Sequence, residues 1–240
     1  MSLSRTLRSQ TPSSSSTSQT ERKCIIVHTD PPKNLDLQTL AQGVEYLARL
    51  DAKLASVVRK HGPPPLWARE PGFPTLVQII LEQQVSLASA KAAYTKLCLI
   101  ANPLNPETFL ELDDRGLKEA GFSRQKMVYC RELSKALLEG RLQLDTLDRL
   151  NDDAVRKELV KHKGIGPWSA DIYLLEALLR PDIWPVGDLA LASSVKELKG
   201  LSRRPDEAEL SQIGNPWKPW RAVAARILWH SYLSERGITM

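Results

Sequence analysis

The chain has 240 residues and a net charge of +5, with 33 Lys and Arg against 28 Asp and Glu. This length suffices for one well-buried domain or two small lobes and is too short for several independent domains. Its three cysteines are scattered, which argues against a disulfide framework and against a zinc or iron–sulfur cluster. No apolar run reaches the roughly 18 to 20 residues of a membrane span. These features predict an intracellular protein, and the basic charge favours anionic partners.

The N-terminal segment differs in composition from the rest of the chain. Residues 2–22 are dominated by Ser, Thr, Gln and Arg and contain the run Ser13–Ser16, so they offer almost nothing that a core could bury. The composition predicts a disordered tail over residues 1–34 and a helical domain over residues 35–240.

Beyond Asn34, apolar residues recur at three- and four-residue spacings, which is the period of an amphipathic helix. Ser123 and Asn151 stand where helix N-caps are expected, and short connections rich in Pro and Gly separate the periodic segments. The pattern predicts an all-α fold. The apolar stripes are Leu37, Leu40, Val44 and Leu47; Leu76, Ile79, Ile80 and Leu87; Met127, Cys130, Leu133 and Leu137; Val155 and Leu159; and Trp220, Val223 and Ile227.

The segment Leu159–Asp171 is the most informative part of the sequence, because it places a Gly-Ile-Gly turn at residues 164–166 between two helices. Both glycines can adopt positive φ and expose backbone N–H groups, and Pro167 suits the first position of a helix, where no amide donor is needed. Free N–H groups at such a helix start, with Lys161 and Lys163 nearby, can hold an anion such as a phosphate. A plain turn between two helices is the alternative.

This segment resembles the hairpin of the helix-hairpin-helix/Gly-Pro-Asp superfamily of DNA repair glycosylases. An essential Asp follows the hairpin by about twenty residues in that superfamily, and Asp188, within Trp184–Leu191, occupies this place. The resemblance implies a two-lobed all-α fold, a hairpin motif at about residues 151–179, an active-site cleft between the lobes, and Asp188 as the catalytic residue. The local sequence alone favours a helix N-cap at Asp188, and the two roles are compatible. The hairpin residues expected to contact the DNA backbone are Gly164, Ile165, Gly166, Ser169, Lys161 and Lys163.

Within the superfamily, other segments resemble the 3-methyladenine DNA glycosylase II branch. The resemblance places Gln84 at the wedge that fills the space left by a flipped base, where related enzymes often have Leu. It places Arg124 and Lys126 at a second phosphate contact. Solvated helix ends are the alternative for all three side chains. The segments that carry this resemblance are Ile79–Ser86, Gly121–Lys126 and Trp217–Arg221.

The resemblance also bears on the reaction. Glycosylase–lyases of the superfamily carry a nucleophilic Lys two residues after the second hairpin glycine, where this chain has Trp168, so we expect a monofunctional hydrolase. Trp168 and Trp229 match pocket aromatics of the branch, and Tyr173 is a third candidate; such rings attract a base made cationic by alkylation. A cationic purine leaves readily, which favours 3-methyladenine and 7-methylguanine as substrates. Trp229 could equally be a core residue.

We expect no cofactor, apart from a structural monovalent cation that the hairpin could hold, and no metal. The expected partner is double-stranded DNA with alkylated bases, bound by a monomer in the cytoplasm or nucleoid of a bacterium or in the nucleus of a eukaryote, without a membrane. The main alternative is a non-catalytic lesion- or structure-specific DNA-binding protein, in which Asp188 would be replaceable. A mismatch or oxidised-base glycosylase is disfavoured by Trp168 and by the lack of a four-cysteine cluster.

Overall fold

A computed structural model describes residues 32–238, and every regular element within this range is helical. The predicted all-α class is therefore confirmed. The tail prediction concerns mainly residues 1–31, which lie outside the described residues. The α-helices are α1 (Leu37–Leu50), α2 (Ala52–His61), α3 (Phe73–Glu82), α4 (Leu87–Ile100), α5 (Pro106–Glu111), α6 (Asp114–Glu119), α7 (Arg124–Leu138), α8 (Asp152–Leu159), α9 (Pro167–Ile172), α10 (Leu189–Lys199), α11 (Glu207–Gly214) and α12 (Arg221–Glu235).

The helix starts follow from side chains that accept backbone N–H bonds. Ser123 caps α7 through Lys126 N–H at 3.3 Å, and Asn151 caps α8 through Ala154 N–H at 2.8 Å, as the sequence predicts. The apolar stripe that runs from Leu76 to Leu87 is divided, because α3 ends at Glu82 and α4 begins only after a turn. The interpretation of these residues as the stripe of one helix is therefore wrong at Leu87, which begins α4.

The helices form two lobes. The first lobe contains α1, α2, α10, α11 and α12, and the second contains α3 to α9; the most extensive helix packing lies within each group. A π turn at Tyr173–Ala177 continues α9. A hydrogen bond joins the segment before α1 to the residue after the π turn: the Asn34 side chain donates to the carbonyl oxygen of Leu178 at 2.7 Å. Residue 34 falls within the predicted tail, yet it has this defined contact.

A cluster of buried charges joins the lobes. Arg69, before α3, contacts Glu82 at 2.9 Å and lies 2.7 Å from the carboxylate of Glu176 in the π turn. Arg226 of α12 is fully buried and donates to the carbonyl oxygens of Leu66 and Leu175. Arg69 bridges the two carboxylates, and backbone carbonyl oxygens accept the hydrogen bonds of Arg226, which matters because an unpaired buried charge is strongly destabilising. The cluster thus ties α3 and the π turn to α12.

The hairpin joins α8 to α9 and depends on one glycine more than on the other. Gly164 has φ +95°, and a Cβ atom there would overlap the ring of Tyr129 on α7. Gly166 has an extended backbone with φ −93°, and no atom lies within 4 Å of where its Cβ would be. Of the two glycines, only Gly164 therefore uses the positive φ that glycine allows. Pro167 occupies the first position of α9 as expected.

This difference predicts that Gly164→Ala destabilises the protein far more than Gly166→Ala. The first substitution combines an unfavourable φ with a steric overlap and should lower the free energy of unfolding by at least about 2 kcal/mol. The second should change it by less than about 0.5 kcal/mol. Urea unfolding of the two variants measures the difference, and equal stabilities would contradict the described hairpin geometry.

Glu176 predicts a pH-dependent stability. Burial raises the pKa of its carboxyl to about 7, against the opposing effect of Arg69. Because the folded state holds this proton more tightly, the stability that Glu176 contributes is full below its usual pKa and is lost as the pH rises through about 7. Relative to Glu176→Gln, the native chain should therefore lose unfolding free energy between pH 5 and pH 8 in urea titrations. Glu139→Gln at the surface is the control, and a pH-independent difference for Glu176→Gln would refute the prediction.

Candidate active site

The carboxylate of Asp188 is the point where the two lobes meet. Asp188 caps α10 and accepts the Leu191 N–H at 2.7 Å on Oδ1, so the N-cap that the local sequence favours is present. The indole N–H of Trp229 on α12 donates to the same oxygen at 3.0 Å. The indole N–H of Trp168 on α9 donates to Oδ2 at 2.9 Å. One tryptophan from each lobe therefore orients the carboxylate, and capping leaves room for a second role.

The two oxygens of Asp188 are not equivalent. Oδ1 accepts two hydrogen bonds, whereas Oδ2 accepts one from the described residues. A carboxylate oxygen can accept about two, so Oδ2 retains capacity for a water molecule or a substrate. Asp188 is half-buried, and its neighbour Leu189 is 70% exposed, so the carboxylate lies at an accessible edge of the protein.

The three aromatic candidates occupy different positions. Trp168 is half-buried beside Asp188, while Trp229 is 8% exposed and reaches the carboxylate mainly through its indole edge. Tyr173 is fully buried, its hydroxyl oxygen accepts the Gly72 N–H at 3.1 Å, and burial raises its pKa to about 12. The expectation that Tyr173 lines a base pocket is therefore wrong, because the ring offers no accessible face.

The hairpin presents backbone rather than side chains. Ile165 is buried, and Ser169 is 2% exposed with its Oγ accepting a hydrogen bond from Gln83. The Ser169 side chain is therefore not free to contact DNA in this conformation, and the predicted contact at this residue would involve its backbone. Gly166, by contrast, leaves the start of α9 without a side-chain cap, so amide groups there stay available.

The four basic candidates also differ. Lys163 and Arg124 are exposed and form no ion pair or side-chain hydrogen bond within residues 32–238, so both can reach a phosphate. Lys161 is exposed but pairs with Glu158 at 2.6 Å. Lys126 turns inward and donates to the carbonyl oxygens of Leu81 and Gln83 at 2.7 and 2.9 Å, and burial lowers its pKa. Two of the three donors of its ammonium group already cap the end of α3, so at most one is left for the predicted phosphate contact.

The wedge candidate Gln84 lies in the turn between α3 and α4. Its φ of +58° is unusual for a residue with a side chain, and the residue is exposed. The sequence assigned no role to its neighbour Gln83, whose side-chain amide donates to the carbonyl oxygen of Gly164 at 2.8 Å and to Ser169 Oγ at 2.9 Å. In the sequence, the only sign of this role was that Gln83 is a second polar residue at the end of an apolar helix.

The described residues contain neither a metal-binding cluster nor a membrane-spanning helix. Between residues 32 and 238, no three or more His, Cys, Asp or Glu side chains are grouped so that they could hold a metal ion. In the same range no helix combines the length and apolar character needed to cross a bilayer. At the hairpin, the carbonyl oxygen of Gly164 already accepts the Gln83 amide, so the structure adds no support for a cation there.

Comparison with known proteins identifies the family. Residues 77–219 match the family model described as "HhH-GPD superfamily base excision DNA repair protein". The alkylbase DNA glycosidase-like protein mag2 of Schizosaccharomyces pombe is 29% identical over 77% of this chain and 90% of its own length. Two Bacillus subtilis relatives are longer, and the chain spans 65% and 41% of their lengths.

Two solved structures share the fold. The DNA-3-methyladenine glycosidase of Bacillus halodurans aligns with a TM-score of 0.67 and 28% identity, covering 81% of this chain and 91% of that one. The 3-methyladenine DNA glycosylase of Schizosaccharomyces pombe, solved with abasic DNA, aligns with a TM-score of 0.75 and 23% identity over 81% and 97%. Because the second structure is only 23% identical to this chain, its likeness bears on the fold alone. The expected family is confirmed, and the chain belongs to the HhH-GPD superfamily of base excision DNA repair proteins.

Proposed function

We propose that this protein is a monofunctional DNA glycosylase that hydrolyses the N-glycosidic bond of alkylated purines, 3-methyladenine and 7-methylguanine foremost. The observation that carries the proposal is the Asp188 carboxylate, held between the indole N–H groups of Trp168 and Trp229 with Oδ2 still able to accept. Relatives from Bacillus subtilis and Saccharomyces cerevisiae are named DNA-3-methyladenine glycosylase, and these names support the same substrate class.

In this reaction Asp188 would act on the sugar. Breaking the N-glycosidic bond leaves positive charge on the deoxyribose, and a fixed carboxylate nearby stabilises that charge without reorganising. The indole donors and the Leu191 N–H hold the carboxylate in place, so little orientational freedom is lost at the moment of reaction. The open side of Oδ2 can orient the attacking water.

The base would leave without acid catalysis. An alkylated purine already carries positive charge and departs as a neutral base, so the site needs to bind a cation rather than to protonate it. The half-buried ring of Trp168 offers an electron-rich face, worth about 0.5 to 2 kcal/mol for a cation. Neutral lesions would lose this attraction and leave less readily, and we expect them to be minor substrates.

DNA would be held through its backbone. The uncapped start of α9 can bind a phosphate, with Lys163 and Arg124 adding charge, and these contacts carry no sequence information. Gln84, exposed at the tip of its turn, would enter the stack where the damaged base has left. We expect the protein to act as a monomer on genomic DNA, in a nucleoid or a nucleus.

The decisive experiment compares Asp188→Asn with the native chain in single-turnover release of both methylpurines from methylated duplex DNA. Asn keeps the N-cap oxygen but loses the charge and turns its NH2 group towards the Trp168 indole N–H, which also donates. Release should therefore fall about a thousandfold, while the free energy of unfolding falls by no more than about 3 kcal/mol. Asp206→Asn changes another helix N-cap and should leave release unchanged. Strand breaks should appear only after alkali, because no lysine stands at the position of Trp168. Lesion binding without release would favour the non-catalytic DNA-binding protein, and borohydride trapping of an enzyme–DNA adduct would identify a lyase.

Trp168→Phe tests the orientation of the carboxylate. Phe keeps an aromatic wall but cannot donate to Oδ2, and a hydrogen bond to a charged group contributes about 1.5 to 3 kcal/mol. Single-turnover release should therefore fall about tenfold to a hundredfold while lesion affinity changes little. Trp184→Phe removes a buried indole hydrogen bond to Leu210 elsewhere and serves as the matched control. A native rate for Trp168→Phe would show that this donor has no part in the reaction.

A further inference from the structure

The turn that carries Gln84 is attached to the hairpin by its neighbour. Gln83 ends α3, and its side-chain amide donates to the Gly164 carbonyl at 2.8 Å and to Ser169 Oγ at 2.9 Å. Both acceptors are distant in sequence, one in the hairpin turn and the other in α9. The amide group is half-buried, so these bonds are partly shielded from competing water.

The same turn is held from a second side by α7. The Lys126 ammonium group donates to the backbone carbonyl of Gln83 at 2.9 Å and to that of Leu81 at 2.7 Å. One turn further along α7, the ring of Tyr129 packs so closely on Gly164 that no side chain fits there. Three segments distant in sequence therefore meet at Gln83: the α3–α4 turn, the start of α7 and the hairpin.

Gln84 itself needs this support. Its φ of +58° lies in the left-handed region, which is unfavourable for a residue with a Cβ atom, and its own side chain forms no hydrogen bond within the described part of the chain. An exposed turn in a strained conformation persists only when its neighbours hold it. Here the neighbouring Gln83 is held through its backbone and its side chain at once.

We propose that Gln83 is a positioning residue that holds the Gln84 turn in register with the hairpin, so that the phosphate anchor and the inserted side chain act as one rigid unit. The proposal rests on the proposed function for its substrate. Gln83 need not contact DNA: its effect passes through Gly164 and Ser169 on one side and Gln84 on the other. Losing the connection should leave phosphate binding nearly intact and should impair the step in which the base leaves the stack.

Gln83→Glu is the sharpest test, because it preserves size and removes the two amide donors. Single-turnover release of 7-methylguanine from a fully paired duplex should fall about tenfold, as expected for one to two lost hydrogen bonds. Release from a single-base bulge, where the lesion is already partly unstacked, should fall less than about twofold. Gln143→Glu makes the same chemical change at an exposed position and should leave both rates unchanged.

A second measurement does not need base release. The probe is a duplex with a tetrahydrofuran abasic analogue beside 2-aminopurine, whose fluorescence rises when a side chain disturbs the stack. For Gln83→Glu the fluorescence rise at saturating protein should fall to half or less, while the dissociation constant changes less than about threefold. Lys126→Met, which frees the turn from α7, should show the same separation of fluorescence from affinity.

The outcomes separate the two proposals. Equal losses on paired and bulged substrates, or an unchanged fluorescence rise in a variant that melts within about 3 °C of the native chain, would overturn the positioning role of Gln83. If the native chain releases no methylpurine at all, the proposed function fails, and the fluorescence measurement still decides whether Gln83 positions the turn.

Discussion

The Asp188 carboxylate accepts indole hydrogen bonds from both lobes, and the rest of the site is arranged around this shared acceptor. Trp168 lies two residues after Gly166, at the start of α9, so the helix that would hold a DNA phosphate also orients the carboxylate. Trp229 fixes the same group from α12. A shift of one lobe against the other would lengthen one of these bonds, so the relative position of the lobes and the geometry of the carboxylate are set together.

Buried charges behind the site support this arrangement. Arg226 precedes Trp229 by one helical turn on α12, and Glu176 lies in the π turn that continues α9 from Trp168. Arg69 joins Glu176 to Glu82 at the end of α3, immediately before the turn of Gln83 and Gln84. A π turn inside a helix is unfavourable and is often retained at functional sites. Here it brings the carboxyl group of Glu176 into the interior beside Arg69, where burial raises its pKa to about 7.

Several polar residues that sequence motifs place on the DNA side face inward in the structure. Lys126 caps the carbonyl end of α3, and Ser169 receives the Gln83 amide. Both therefore organise the surface that would contact DNA without belonging to it. A motif reports which residue types occur together, and it does not distinguish a side chain that touches the ligand from one that holds the backbone beneath it. Lys163 and Arg124, which have no protein partner in the described range, remain the candidates for direct phosphate contact.

The sequence by itself determined the helical class, the N-caps at Ser123, Asn151 and Asp188, the glycine turn of the hairpin and the family, because each depends on residues close together in the chain. Tertiary structure decided which polar groups meet. Gln83 and Gly164 are 81 residues apart, and Asp188 and Trp229 are 41 apart. Apolar periodicity identifies the buried face of each helix but does not say which helix faces it. The partners of buried polar groups, and so the orientation of the carboxylate, depend on that packing alone.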